Sequence, residues 1–221
     1  MVAAAVPDGD VAAAGKCCGS EMGGKATPET AAAAAAAAVV AEAAAEAGRV
    51  SARDEAYMAA ACDEADKCSA VATAFNVGAV VVASGGGVVA TGYSRELPGN
   101  MHAEEVAFTK LRAAAAAAGV SVADLLGAGA TLYTTMEPCG VRLSGKTPCS
   151  MHALEAGVSR VVYAITEPPV FIVCTVGLAH LADAGVTVAR LPPTSASVAR
   201  SLAANSHLAV PTAPAPAPPT Q

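Results

Sequence analysis

The sequence predicts an α/β fold, a three-layer α/β/α sandwich on one mixed central sheet. Three observations carry that prediction. Helical and strand-like patterns alternate along the chain in the order α-β-β-α-β-α-β-α-β-α. The first two strands follow each other directly across a glycine turn. The core-forming residues are Val, Leu, Ile and Ala, because only 3% of the chain is aromatic and Trp is absent. The 221 residues leave room for one ordinary domain, and no internal repeat is present.

Ser51 opens an amphipathic helix that runs to about Ser69, with Tyr57, Met58, Ala61, Cys62 and Ala65 at helical spacing. Phe75 to Ala83 (FNVGAVVVA) is a valine-rich strand, Ser84 to Gly87 a turn, and Val88 to Tyr93 the returning strand. A helix from about His102 to Ala118 is closed by Gly119. Thr131 to Thr135 is the third strand, Cys149 to Ala156 a short helix ended by Gly157, and Arg160 to Thr166 the fourth strand. Val176 to Ala184 reads as helix, Val186 to Leu191 as strand and Ser195 to Leu208 as helix.

Three segments are expected. Residues 1–50 form a low-complexity extension, read as disordered to residue 28 and then loosely helical along the alanine run that Gly48 ends. Residues 51–210 form the domain. Residues 211–221 (PTAPAPAPPTQ) form a proline-rich tail that packs no core. The extension has no assigned function. An organellar address for it is weakened by Asp8, Asp10 and Glu21 and by the absence of Arg before Arg49.

A net charge of −6 argues against a nucleic-acid partner gripped through its phosphates, though not against a local basic pocket for one phosphate. The longest apolar run, Ala31 to Ala41, is about half of the roughly 20 residues that a membrane span needs. No N-terminal stretch reads as a secretory signal, so a cytoplasmic location is expected, where seven cysteines stay reduced or bind metal.

The chemistry lies in four residues. His102 stands two positions ahead of Glu104, Cys139 follows Pro138, and Cys149 comes ten positions after Cys139. One imidazole and two thiolates make the three-ligand arrangement of a catalytic zinc, which leaves a fourth position for water and lowers the pKa of that water to roughly 7. His102 and Cys149 each open a helix, whose positive end favours thiolate over thiol. Glu104 would take a proton from the water and pass it to a leaving amine. Glu105, three positions from His102, reads instead as a solvated first-turn carboxylate.

The His-Ala-Glu of residues 102–104, the Pro-Cys of 138–139 and Cys149 form the pattern of zinc deaminases. From about Asp54 to Arg190 the chain resembles the cytidine deaminase-like superfamily, which implies its sandwich fold and its zinc. Most members have two residues between the cysteines; here there are nine, GVRLSGKTP. That insert, with the phrases YSRELPGNMHAEE and LYTTMEPCGVRLSGKTPC, is similar to the fungal-type pyrimidine deaminases of riboflavin biosynthesis. The resemblance implies hydrolysis of the 2-amino group of a 2,5-diamino-6-(ribitylamino)pyrimidinone 5′-phosphate, with release of ammonia. It also implies a homodimer, since the superfamily commonly assembles.

Substrate contacts follow from the same resemblance. Asn76 would face the substrate, over a pocket floor kept low by Gly78 and Ala79. The backbone N–H of Ala103 and the carbonyl of Pro138 would read the pyrimidine edge. Arg142 and Lys146, in the insert, would bind the phosphate, with Ser144 and Gly145 as added donors. Arg95 and Glu96 either fix the loop before His102 through an ion pair or touch substrate. His152, one turn after Cys149, is read as a partly exposed helix residue. Cys62, Cys68 and Cys174 are read as small buried hydrophobes, and Cys17 and Cys18 as an incidental pair. Rival functions are a cytidine or deoxycytidylate deaminase, a tRNA adenosine deaminase, and a zinc-binding scaffold without activity.

Overall fold

The computed structural model describes residues 49–171 and 176–208. The expectations for the N-terminal extension, Cys17, Cys18, Cys174 and the proline-rich tail concern residues outside these. The elements are α1 (Ala52–Ala65), β1 (Gly78–Val82), β2 (Val88–Tyr93), α2 (Ala103–Ala118), α3 (Val122–Leu126), β3 (Thr131–Met136), α4 (Cys149–Ala156), β4 (Arg160–Ile165), α5 (Val176–Asp183), β5 (Thr187–Arg190) and α6 (Ala196–Ala204). Each predicted helix and strand of the domain has a counterpart. The order is changed only by α3, which the sequence reading missed.

The five strands lie in the order β2-β1-β3-β4-β5. β1 runs antiparallel to β2 and β3, while β3, β4 and β5 are parallel, so the sheet is mixed as expected. α1 and α6 pack on one face, and α2, α4 and α5 on the other. β1 and β3, in the middle, are buried at every position, whereas the edge strand β2 alternates. Phe108 and Met58 are the largest fully buried side chains of a core made mainly of Leu, Val and Ala. Among the described residues no helix is long and apolar enough to cross a membrane.

Capping explains several boundaries. The Ser51 hydroxyl accepts from the Asp54 N–H and the Asp54 carboxylate accepts back from the Ser51 N–H, which starts α1. Ser121 and Asp124 do the same for α3, so the missed helix had a readable start. Gly119 and Gly157 end α2 and α4 in left-handed conformations, φ +68° and +81°. β1 begins three residues later than predicted. Asn76 N–H bonds to Asn205 Oδ1 and Val77 N–H to Ser94 Oγ, so side chains replace the ladder there.

Two helices lie directly on the sheet at glycines. A Cβ at Gly78 would stand 1.9 Å from the Ala61 carbonyl oxygen of α1. The bare face of Gly78 therefore meets α1 rather than flooring a substrate pocket, which corrects the expectation for Gly78. A Cβ at Gly92 would stand 2.5 Å from the Ala103 carbonyl oxygen and 2.7 Å from the Ala107 nitrogen of α2. This contact seats the first turn of α2 on β2.

At the far end of the sheet, buried Asp54 receives Arg160 at 2.5 Å and the Tyr133 hydroxyl at 2.7 Å. Burial raises the Asp54 pKa, but Arg160, the Ser51 N–H and Tyr133 outweigh it and hold it at about 2. The folded value lies below the unfolded one, so the linked stability is complete above the usual Asp range near 4 and is lost as pH falls toward 2. We predict that Asp54→Asn lowers stability by about 1–2 kcal/mol at pH 7. Between pH 4 and pH 2 its urea midpoint should fall less steeply than that of the parent.

Candidate active site

The parallel strands β3 and β4 deliver their C-terminal ends to one crevice, the place where open α/β sheets bind ligands. His102 caps α2 in an extended conformation, and its N–H donates to Glu105 Oε2 at 3.3 Å. Cys139 follows β3, and Cys149 is the first residue of α4. Their ligand atoms converge. His102 Nδ1 lies 3.6 Å from Cys139 Sγ and 3.5 Å from Cys149 Sγ, and all three lie within 4.8 Å of one another.

These separations test the fit to zinc. Tetrahedral zinc with Zn–N near 2.05 Å and Zn–S near 2.3 Å requires about 3.6 Å between nitrogen and sulfur. The trio meets that requirement, so His102, Cys139 and Cys149 could hold the metal. Among the described residues it is the one group of three or more His, Cys, Asp or Glu drawn together in this way.

The start of α4 prepares the sulfurs. Cys139 Sγ accepts from the Cys149 N–H at 3.4 Å, and the Cys139 carbonyl accepts from the Ser150 N–H at 3.1 Å. The Cys149 side chain, followed by His102, pulls the Cys139 pKa well down, while Cys149, beside that thiolate and fully buried, is pushed up. Metal binding requires both sulfurs as thiolates, so it would displace the proton of Cys149. Burial works against protonation of His102, but Cys139 outweighs it and the net shift is upward.

Glu104 is buried, and its Oε1 accepts from the Thr134 hydroxyl of β3 at 3.0 Å. Burial raises its pKa, which favours a carboxyl able to hold a proton. Glu104 and His102 line a cavity of about 240 Å³, the size of a single-ring ligand. Arg95, Arg142, Glu137 and Glu167 line it too, and Phe75 and Phe171 meet edge to face at its wall.

Several expected substrate contacts are placed differently. Asn76 does not line the cavity. Its Oδ1 accepts from Arg95 at 2.6 Å and its Nδ2 donates to the Ala204 carbonyl at 3.1 Å, so it ties the end of α6 to the loop before His102. The Pro138 carbonyl oxygen is pressed against Gly177 of α5. Ala103 is fully buried in the first turn of α2. Arg142 reaches the cavity but is already paired with Glu105 at 2.5 Å and donates to the Asn100 carbonyl at 3.1 Å. Glu105 is thus an ion-pair partner rather than a solvated carboxylate. Lys146, outside the cavity lining, donates to the Gly99 carbonyl at 2.5 Å.

Arg95 and Glu96 do not pair with each other. Arg95 donates to the carbonyls of Phe75 and Ser69, and Glu96 pairs with Lys110. His152 stands 3.7 Å from Glu155 and takes no part in the trio. Cys62 is buried and Cys68 half-buried, both as free thiols. Sequence reasoning missed Thr134, Glu137 and Glu167. Thr134 and Glu137 lie within the quoted phrase LYTTMEPC, but nothing in a linear pattern shows which way they point.

The family described as the cytidine and deoxycytidylate deaminase zinc-binding region matches residues 51–165. The chain belongs to this family. The diaminohydroxyphosphoribosylamino-pyrimidine deaminase of Schizosaccharomyces pombe is 43% identical over 103 residues, which are 47% of this chain and 24% of that protein. The chain thus spans about a quarter of the length of that curated relative. Among solved structures, the Aspergillus oryzae Rib2 deaminase in complex with DARIPP is 29% identical with a TM-score of 0.52, covering 63% of this chain and 84% of its own. The Thermotoga maritima diaminohydroxyphosphoribosylaminopyrimidine deaminase/reductase is 27% identical with a TM-score of 0.55, over 70% of this chain and 39% of its own. The mixed five-stranded sheet with its flanking helices is the fold of these deaminases.

The turn carrying Cys139 is held from behind by α5. A Cβ at Gly177 would stand 2.1 Å from the Pro138 oxygen, and one at Gly140 2.3 Å from the Gly177 nitrogen. Gly177→Ala should push this turn off its seat and weaken zinc retention against a competing chelator by about tenfold or more. The far-UV helix signal should stay unchanged.

Proposed function

We propose that this chain is a zinc-dependent deaminase that hydrolyses 2,5-diamino-6-(ribitylamino)pyrimidinone 5′-phosphate to the corresponding uracil and ammonia. The observation that carries the reading is one cavity lined by His102 and Cys139 of the trio, by Glu104 and by Arg142 from the nine-residue insert. The likeness to the Schizosaccharomyces pombe and Aspergillus oryzae deaminases supports the same substrate.

Held by His102, Cys139 and Cys149, zinc would supply Lewis-acid activation of the attacking water. Glu104 takes a proton from that water, passes it to the bare ring nitrogen, and then serves the departing amine. Thr134 holds one carboxylate oxygen in place for both transfers. The C–N bond to the amine breaks, a carbonyl replaces it, and ammonia leaves with the protons of water and amine conserved.

Arg142 and Lys146 bind the phosphate in this reading. With Glu105 between them they carry one net positive charge, enough to attract a phosphate without forming a broad basic face. The chain's net charge of −6 and the wide cysteine spacing disfavour a tRNA substrate. The buried Glu104 disfavours a silent scaffold, which has no use for the carboxylate. A homodimer belongs to the same proposal, with Leu143, 81% exposed at the tip of the insert, as apolar surface for it.

The family description keeps a cytidine or deoxycytidylate substrate as the second reading. Ammonia release from the zinc-loaded chain separates the two. The phosphorylated pyrimidinone, its dephosphorylated form, cytidine and deoxycytidylate should be offered side by side. Turnover of the phosphorylated pyrimidinone is expected, and turnover of cytidine or deoxycytidylate alone would overturn the reading. Glu104→Ala should lower kcat at least about 1,000-fold while zinc content stays at one per chain. Arg142→Ala should raise KM about tenfold for the phosphorylated pyrimidinone and leave the dephosphorylated form nearly unaffected. An unchanged KM would remove Arg142 from the phosphate site.

A further inference from the structure

Two carboxylates stand in the cavity beyond the one that moves protons. Glu137 follows β3 and Glu167 follows β4, and the ends of these strands are paired, Met136 opposite Ile165. Glu137 is only 5% exposed, lines the cavity and leaves its Oε2 without a hydrogen-bond partner. The Glu137 N–H donates to the Ile165 carbonyl at 2.9 Å, which seats Glu137 beside the chain that leaves β4 toward Glu167, and the Glu167 backbone lowers the Glu137 pKa that burial raises. Glu167 also lines the cavity, half-buried, with Cys139, His102 and Glu104 as its charged neighbours. One buried and one half-buried carboxylate in the same cavity call for a ligand with matching donors.

The two candidate substrates differ at that place. In cytosine the carbon that loses its amine is flanked by a bare ring nitrogen and a C–H. In a 2-aminopyrimidinone it is flanked by two ring nitrogens, one bare and one carrying hydrogen. Its edge is that of a cyclic guanidine, with the amine and the ring N–H side by side as donors. A carboxylate is the complementary acceptor.

We propose that Glu167 is a specificity-determining residue that accepts a hydrogen bond from the protonated ring nitrogen of a 2-aminopyrimidinone, with Glu137 holding it in position. The proposal rests on the reading of this site as a deaminase of such a pyrimidinone. Glu104 serves the bare nitrogen and Glu167 the protonated one, so the reacting carbon is gripped from both flanks. Cytosine offers Glu167 only a C–H and leaves the carboxylate unpaired, a mismatch that discriminates strongly in a buried site.

Two measurements on the full zinc-loaded chain test this. One is turnover of the phosphorylated pyrimidinone; the other is competition between isocytosine and cytosine for the site, read by ligand-observed NMR. Glu167→Gln should lower kcat/KM about 10- to 100-fold and abolish the preference for isocytosine, with zinc content unchanged. Glu167→Asp should recover part of the preference, which a merely structural role would not do. If Glu167→Gln keeps both the preference and kcat/KM within twofold, the proposal falls and the substrate reading stands. If the parent prefers isocytosine through Glu167 yet turns over none of the pyrimidinones, the substrate reading falls and the role of Glu167 stands. A parent that prefers cytosine overturns both.

Discussion

The site depends on how closely helix backbones approach the strands and turns beneath them. Three ligand atoms from three elements must meet with nitrogen-to-sulfur separations near 3.6 Å, a tolerance that side-chain packing alone rarely supplies. Two contacts without side chains supply it here. Gly92 lets the first turn of α2 rest on β2, which fixes His102 and Glu104. Gly140 and Gly177 let α5 rest on the turn that carries Cys139. A core rich in Val and Ala suits this design, because thin side chains keep layers close and transmit position from sheet to helix.

The closeness also sets the electrostatics of the cavity. Glu104, Glu137 and Glu167 line it together, and burial raises all three pKa values, with Glu167 reaching about 7. A divalent cation with one histidine and two thiolates adds no net charge to the site, yet its local field favours negative charge nearby. Arg95 and Arg142 line the same cavity, each tied down by carbonyl oxygens and Arg142 also by Glu105. The cavity therefore carries both acidic and cationic side chains on its wall.

Much of this was legible in the sequence. The trio and Glu104 could be read because zinc chemistry fixes residue types and places them at element boundaries. Helix ends at Gly119 and Gly157 followed from capping, and the buried face of α1 from its 3.6-residue period. What stayed hidden was direction. Nothing in FNVGA says that Asn76 turns to Asn205, Ala204 and Arg95 rather than to the cavity. Nor does it say that the bare face of Gly78 meets α1. The partnership of Arg142 with Glu105 joins residues 37 apart. It depends on the path of a loop that has no period to read. The helix α3 was overlooked although its Ser121–Asp124 capping box was in plain view, because a five-residue helix has too few turns to show a periodic face.

The Arg142 contacts also give the long cysteine spacing a physical meaning. Two residues between ligands would return the chain to α4 at once, and the loop could carry nothing into the cavity. Nine residues let it travel out to Leu143 and back, anchored by Arg142 on Asn100 and Glu105 and by Lys146 on Gly99. Those anchors lie just before and just after His102, so the insert braces the entry to α2, which bears His102 and Glu104. The insert thus shares in seating the trio that the backbone contacts at Gly92 and Gly177 also position. One loop lines the cavity through Arg142 and steadies the helix start beside it, so a change in its length would be felt at both.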